Sequence, residues 1–394
     1  MNLVTGKKIL WLTSWYPNRM DEFDGDFIQR HAKAVALFCR VHVIFVVKAT
    51  NKLSVTEKEE RTEGNLTEQI IYYSSPKTGI SLLDRFLSQR KYNQCCRKAI
   101  TAYINTNGNP DYVHVHVAMK AGLAALWIKK KWNIPFIVTE HWTGYYRQSV
   151  PSVFNYNWLF RKLNKKILKE AACFLPVSKD LGETVKQNFI NIPYHVVPNV
   201  VNTELFYYNP VKPEKFRFIH ISYMNYQKNP EGIIKASSLL HKSGYDFEVL
   251  MLGNKDKRLM QFAKQNNLPA DVLFFAETVP YTDVAKQMQN SSALLLFSRF
   301  ENLPCVILEA LCCGLPVISS RVGGIAEVLN QTNGILVKSE NIKELATAMQ
   351  QLIDNYSLYN RSVIAADAAS KFNYDKVGRQ YVELYKNSGQ RLLL

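Results

Sequence analysis

No apolar run of this 394-residue chain approaches the roughly 18 residues of a spanning helix, so no transmembrane segment is predicted. The opening stretch MNLVTGKKILWLTSWYP sets lysines ahead of ILWL. That run is too short for the apolar core of a secretory signal, and no small-residue cleavage site follows. A first strand is expected there instead. Low-complexity tracts are absent. Seven cysteines (Cys39, Cys95, Cys96, Cys173, Cys305, Cys312 and Cys313) include no CxxC pair, which argues against the common zinc and dithiol redox motifs. Reduced, mostly buried thiols in a cytoplasmic setting are the expectation. No GxGxxG follows KILWLTS, so the dinucleotide fingerprint of an oxidoreductase is missing. No residue stands out as a covalent nucleophile.

What is present is apolar, alternating and basic. With 47% hydrophobic residues, the chain is long enough for two ordinary domains. Strand-like KILWLTS, helix-like FIQRHAKAVALF and strand-like RVHVIFVV open a pattern that continues through DYVHVHV, AGLAALWIKKKW, IPFIVTE and ACFLPVS. Such alternation predicts a parallel sheet covered on both faces. Near YHVVPNVVNTELF (194–206) the pattern resets, and FRFIHIS, EGIIKASSLL, FEVLMLG, VLFFAE, SALLLFS, LPVISS and GILV repeat it. The predicted architecture is α/β, two doubly wound domains facing each other across a cleft. The first spans 1–198 and the second 199–394, with the linker around Pro198. The segment EKEERTEGN (57–65) is read as an exposed connection.

One stretch is chemically unusual. In ENLPCVILE (301–309) a mostly apolar sequence begins and ends with a carboxylate, although glutamate is seldom buried without a partner. Pro304 suits a helix start, Gly314 a left-handed C-terminal cap, and Pro316 a stop. Flanked by SALLLFS and LPVISS, the region reads as strand, loop, helix, strand, a βαβ unit. Glu301 then lies in the loop at a strand's carboxyl end and Glu309 inside the helix. Ligands of open parallel sheets bind outside those strand ends, and a helix N-terminus there attracts phosphate. A solvated Glu301 and a Glu309 paired with a neighbouring base are the bland alternative.

The charge is uneven. Residues 1–198 carry 28 Lys and Arg against 15 Asp and Glu, a net +13 of the chain's +16. A basic surface of this kind meets anionic lipid, nucleic acid or an acidic substrate. RKLNKKILKE (161–170) sets basic residues beside Leu163, Ile167 and Leu168 at helical spacing, which fits either a membrane-binding helix or a solvated face packed on a core. Asp24 and Asp26 flank Gly25 in a loop, unlike a metal-binding triplet at the end of an apolar strand. His114 and His116 share a strand face but have no third ligand in view, so they are read as structural or cleft-lining.

The block FENLPCVILEALCCGLPVISSRVGGIAEVL (300–329) resembles the donor-site signature of retaining GT-B glycosyltransferases of family 4. It has two glutamates separated by seven residues, then Gly-x-Pro-Val and Gly-Gly…Glu. VPNVVNTELF, QKNPEGIIKAS, DGDFIQRHAKAV and FNYDKVGRQYVELYK extend the match over most of the chain. The resemblance implies a GT-B fold whose N-terminal domain binds acceptor and whose C-terminal domain binds a nucleotide sugar, with the last helix able to pack back on the N-terminal domain. It implies that Glu309 accepts hydrogen bonds from the ribose hydroxyls and that Glu301 lies beside the donor sugar. Asn302, Leu303 and Pro304 would line the sugar and diphosphate through backbone groups. Lys228 resembles the lysine that neutralises the leaving diphosphate, His141 the histidine near the anomeric centre, and Gly25 a loop glycine that lets backbone approach donor or acceptor.

The family's arginine, five or six residues before that lysine, is replaced here by Ser222 or Tyr223, and Arg299 is the candidate substitute. The implied activity is retaining, metal-independent hexosyl transfer from a UDP- or GDP-sugar to a glycan or lipid-linked acceptor of a surface polysaccharide. No cofactor and no nucleic acid are expected, and the location is cytoplasmic, with an anionic membrane surface as a possible partner. A nucleotide-sugar epimerase of the same architecture and a non-catalytic basic protein that binds membrane or nucleic acid are the rival readings.

Overall fold

The computed structural model describes residues 6–50, 53, 55–76, 78–211 and 213–387, so residues 1–5 of the opening stretch lie outside the described residues. The first sheet contains β1 (Lys8–Thr13), β2 (Arg40–Lys48), β3 (Glu57–Glu63), β4 (Leu66–Tyr73), β5 (Tyr112–His116), β6 (Phe136–Glu140) and β7 (Cys173–Pro176). Their order is 3-4-2-1-5-6-7. Its helices are α1 (Asp26–Ala36), α2 (Ser81–Asn107), α3 (Ala121–Trp132), α4 (Trp158–Glu170) and α5 (Lys179–Asn188). The second sheet contains β8 (Arg217–Ser222), β9 (Glu248–Gly253), β10 (Leu273–Ala276), β11 (Ala293–Leu296), β12 (Val317–Ser320) and β13 (Gly334–Val337), in the order 10-9-8-11-12-13. Around it lie α6 (Pro230–Lys242), α7 (Lys257–Gln265), α8 (Tyr281–Gln289), α9 (Cys305–Cys312), α10 (Ile342–Asp354) and α11 (Arg361–Phe372); α12 (Tyr374–Asn387) ends the described chain.

The second sheet is parallel throughout, and the first is parallel apart from β3. Parallel strands buried on both faces favour near-continuous apolar sequence, which β1 and β11 supply, whereas β5, β6 and β12 also bury polar side chains towards their carboxyl ends. One core of the first sheet lies under α2 to α5 and the other under α1 and α12. In the second sheet α8, α9 and α11 cover one face, and α6, α7 and α10 the other. All seven cysteines are free thiols, six of them buried and Cys305 half-buried. No helix among the described residues is long and apolar enough to cross a membrane.

Strand β4 and helix α2 are not among the segments that the sequence pattern predicts, and two further features depart from that reading or extend it. Residues 57–63, expected as a connection, form the antiparallel edge strand β3. They are exposed as expected, but Lys58 pairs with Glu60, Arg61 with Glu68, and Arg19 with Glu57 and Glu59. Ladder bonds and ion pairs thus hold a strand with no apolar side chain, and a charged edge resists pairing with other chains. Helix α12 leaves the second sheet and packs on the first. Tyr385 Oη lies 2.6 Å from His114 Nδ1, and Tyr381 Oη lies 3.1 Å from His31 Nδ1. The two chain crossings touch, because Val201 N–H donates to the Phe372 carbonyl at 2.8 Å.

Candidate active site

In the second sheet the chain runs from β8 outward to β10, then returns to the other side of β8 with β11. The crevice at that reversal is where doubly wound sheets take ligands. Two predicted residues come from the two strands that flank it. Lys228 ends a short 3₁₀ turn after β8, its backbone N–H held by the Asn225 side chain. Glu301 follows β11. Lys228 Nζ donates to Glu301 Oε1 at 2.5 Å, Ser298 Oγ donates to the same oxygen at 2.7 Å, and Gln227 Nε2 to Oε2 at 3.2 Å. Glu301 is 4% exposed, so the carboxylate is buried but paired, with hydrogen bonds at both oxygens.

The loop after Glu301 is held to the opposite half through Ser178 and His141, and to the linker through Asn199. Ser178 Oγ donates to Asn302 Oδ1 at 2.8 Å, Asn302 Nδ2 to the His141 carbonyl at 3.3 Å, and Asn199 Nδ2 to the Leu303 carbonyl at 2.6 Å. The Asn302 carbonyl accepts from Gly324 N–H at 2.9 Å. Those bonds engage the Asn302 and Leu303 carbonyls, and the loop and the first turn of α9 line the cavity with Asn302, Leu303, Pro304, Cys305 and Val306. Gly323 makes the close approach possible. Its φ is +54°, and a Cβ there would stand 2.1 Å from the Glu301 carbonyl oxygen. Glu327, which closes the Gly-Gly…Glu motif, caps α5 of the other half by accepting from Lys179 N–H at 2.9 Å and Asp180 N–H at 2.8 Å.

Pro304 is the N-cap of α9 and Gly314 closes it at φ +71°, so Glu309 falls inside the helix, buried. Tyr281 Oη donates to Glu309 Oε1 at 2.6 Å, and Arg30 Nη2 lies 3.5 Å from the same oxygen. Burial pushes the Glu309 carboxyl up from its ordinary range, while Arg30 and the Tyr281 bond pull it back down. Arg30 comes from α1, across the cleft, and is fixed by Asp26 at 2.7 Å.

His141 follows β6 and is buried, its Nε2 3.1 Å from His116 Nδ1. Its Nδ1 is buried with no partner among the described residues. Burial, reinforced by His31, holds its pKa well below the usual value, so the ring is neutral at pH 7. Glu140, one residue earlier, receives backbone N–H bonds from Ala118, His141 and Trp142, which fix the strand end that carries His141.

A cavity of about 380 Å³ between the halves is lined by His141, Lys228, Glu301, Asn302, Leu303, Pro304 and Glu309. Seven of the eight predicted site residues thus converge, although they span 168 positions of sequence. Gly25 is the exception. It is the left-handed N-cap of α1, and a Cβ there would stand 2.7 Å from the Trp15 backbone, so its side of contact is Trp15 and its neighbours Asp26 and Phe27 line the cavity instead. Arg299 is not the replacement cation: it pairs with Glu340 at 2.9 Å and lies over the Tyr226 ring, outside the cavity lining. Asp24 stays outside the lining too, its pKa raised to about 6 by burial and by Asp21. His114 and His116 are fully buried among Trp11, Thr139 and Tyr385, a structural role. Among the described residues no cluster of three or more His, Cys, Asp or Glu could hold a metal ion. The lining residues that sequence reasoning missed include Asp26, Arg30, Asn199 and Tyr281. Arg30 lay inside a quoted segment, but nothing local told a helical arginine from a solvated one.

Two doubly wound sheets sharing a ligand cavity define the GT-B class of fold. The family model for Glycosyl transferases group 1 matches residues 202–368, and that for Glycosyltransferase Family 4 matches 32–205. The chain belongs to the GT-B glycosyltransferases of family 4. Among curated relatives, the N,N′-diacetylbacillosaminyl-diphospho-undecaprenol α-1,3-N-acetylgalactosaminyltransferase of Campylobacter jejuni is 25% identical over 302 residues, 72% of this chain and 79% of its own. Among solved structures, sucrose-phosphate synthase from Thermosynechococcus elongatus superposes with a TM-score of 0.78 at 17% identity, covering 96% of this chain and 98% of its own. HepE of Anabaena in complex with UDP-glucose gives 0.68 at 14% identity, covering 96% and 99%.

Proposed function

We propose that this glycosyltransferase moves a hexosyl unit from a UDP- or GDP-sugar to a glycan or lipid-linked acceptor of a surface polysaccharide, with retention and without a metal ion. The observation that carries the reading is the meeting of Lys228, Glu301 and Glu309 from one half with His141 from the other in a single cavity. Residues 199–394 bind the donor and residues 1–198 the acceptor. Glu309 accepts from the ribose hydroxyls and Glu301 lies beside the transferred sugar. Backbone N–H groups at the start of α9 and the Lys228 ammonium face the diphosphate. His141, neutral, lies by the anomeric carbon. The acceptor oxygen attacks that carbon on the face the diphosphate leaves. The carbon–oxygen bond to the diphosphate breaks, and a phosphate oxygen takes the acceptor's proton. Negative charge grows on the leaving group, so donors already aimed at it lower the barrier. The Campylobacter relative, named for a diphospho-undecaprenol acceptor, supports the lipid-linked alternative, and the UDP-glucose complex of HepE supports a UDP-sugar.

The basic helix α4 bears on the membrane. Its apolar positions Ile167 and Leu168 are buried in the core and do not face outward. Lys162, Lys165, Lys166 and Lys169 are exposed, and Trp158 and Leu159 at the start of the helix are 66% and 49% exposed. We propose contact with anionic lipid through this first turn and the lysine face. The deciding experiment for the activity is a hydrolysis screen over UDP-, GDP- and ADP-sugars, followed by transfer and NMR of the product's anomeric configuration with and without chelator. A retained configuration and chelator-insensitive turnover are expected. Inverted product, loss of turnover on chelation, or interconversion of the donor sugar without acceptor would each overturn its part of the reading.

A further inference from the structure

Arg30 is 5% exposed, lines the donor cavity, and belongs to the half opposite the donor-binding helix α9. Its guanidinium is held on one side by Asp26 Oδ2 at 2.7 Å, one helical turn earlier. On the other it reaches Glu309 Oε1 at 3.5 Å and lies 4.9 Å from the centroid of the Tyr281 ring. Tyr281 donates to that same Oε1. Both contacts fall on one carboxylate oxygen, so Oε2 is the oxygen presented to a ligand. Anchored by Asp26, the guanidinium sets its charge against Oε1, the oxygen that the Tyr281 hydrogen bond holds in place.

We propose that Arg30 is a positioning residue that acts across the cleft: it holds Glu309 Oε1 so that Oε2 accepts the ribose hydroxyls, which makes nucleotide recognition a joint property of both halves. The proposal rests on the reading of Glu309 as the ribose-binding group. The alternative use of a buried cation here, direct contact with the diphosphate, would make affinity fall whatever the sugar of the nucleoside. Burial alone would push the Glu309 carboxyl towards the neutral acid, and Arg30 is the strongest opposing influence, so the geometry and the charge act in one direction.

The test uses the full chain and calorimetric binding of the best-bound nucleoside diphosphate among UDP, GDP and ADP, beside its 2′,3′-dideoxy analogue. Wild type is expected to prefer the ribonucleotide by about tenfold or more, the range for a hydrogen bond to a buried charge. Arg30→Gln is expected to shrink that ratio several-fold, through weaker ribonucleotide binding with dideoxynucleotide binding little changed. Arg30→Lys, which keeps the charge but not the fork, should fall between, and it carries the test if Arg30→Gln does not fold. An unchanged ratio in either folded variant overturns the proposal. Equal losses for the two nucleotides do so as well and assign Arg30 to the diphosphate. A wild-type ratio near one overturns the ribose reading of Glu309 itself, and the proposal with it.

Discussion

Lys228→Ala separates the work this side chain does for the fold from the work it does for the reaction. Its ammonium is bound to Glu301 Oε1 at 2.5 Å, with side chains 18% and 5% exposed. Stripping one partner from a fully buried pair costs about 3–5 kcal/mol, mostly the penalty of stranding the other charge. Here Glu301 keeps two donors, Ser298 Oγ at 2.7 Å and Gln227 Nε2 at 3.2 Å, and the cavity admits water. The expected loss is therefore about 1–3 kcal/mol, a drop of a few degrees in Tm. Turnover should fall much further, by about 10²–10³, because one preorganised cation at the leaving group is gone. Adding Glu301→Gln removes the stranded charge, so Tm should recover while turnover stays low. Melting curves and kcat at saturating donor for the two single variants and the double form a cycle that isolates the pair. Turnover of Lys228→Ala within a few-fold of wild type, at the lowered Tm, would refute the leaving-group role and leave Lys228 as a purely structural partner of Glu301.

Three further outcomes are expected. Glu309→Ala should weaken nucleotide binding by about 1–3 kcal/mol in a folded protein, and calorimetry showing unchanged affinity would remove Glu309 from the site. His31 is fully buried between Asn199 and Tyr381, and burial lowers its pKa from 6.5 to about 4. The unfolded chain therefore binds this proton more readily, so stability is complete above pH 6.5 and is lost as pH falls towards 4, by about 3 kcal/mol. Urea melts from pH 7.5 to 4.5 should show that slope, shallower in a folded His31→Gln variant; identical slopes would exclude His31 as a contributor. Replacing Lys162, Lys165, Lys166 and Lys169 with glutamine should reduce flotation with anionic vesicles at low salt, each lysine near the surface contributing about 1 kcal/mol, with donor hydrolysis intact. Equal flotation of variant and wild type would exclude α4 as the anchor.

Local sequence carried every strand but β3 and β4, and the helix at 305–312, because apolar runs, an N-terminal proline and a C-terminal glycine are short-range signals that burial in a parallel sheet leaves intact. The two carboxylates of ENLPCVILE were legible as a pair for the same reason, and their loop and helix settings are as expected. Contacts between distant segments were not. The bond from Lys228 to Glu301 crosses 73 positions and the one from Arg30 to Glu309 crosses more, so neither leaves a periodic trace. Strand β3 was missed because its stability lies in charge pairing along an edge, whereas hydrophobic alternation is the usual signal for a strand. In α4 the apolar stripe was read correctly but its destination was open, since a core and a lipid surface select the same spacing. The resemblance allowed for the return of α12 to the first domain, but nothing local in its tyrosines told that they would close over His31 and His114.

The return of α12 has a mechanical consequence. A chain that passes between two bodies once leaves them free to swivel in any direction, like beads on a string. This chain passes twice, near Val201 and near Phe372, and the two passages are hydrogen-bonded to each other. Twist or sliding between the halves must break that bond and pull α12 off the first sheet, and opening of the cleft must also break the bonds of Asn302 and Glu327 across it. The double passage and the seat of α12 on the first sheet thus keep Arg30 of one half facing Glu309 of the other.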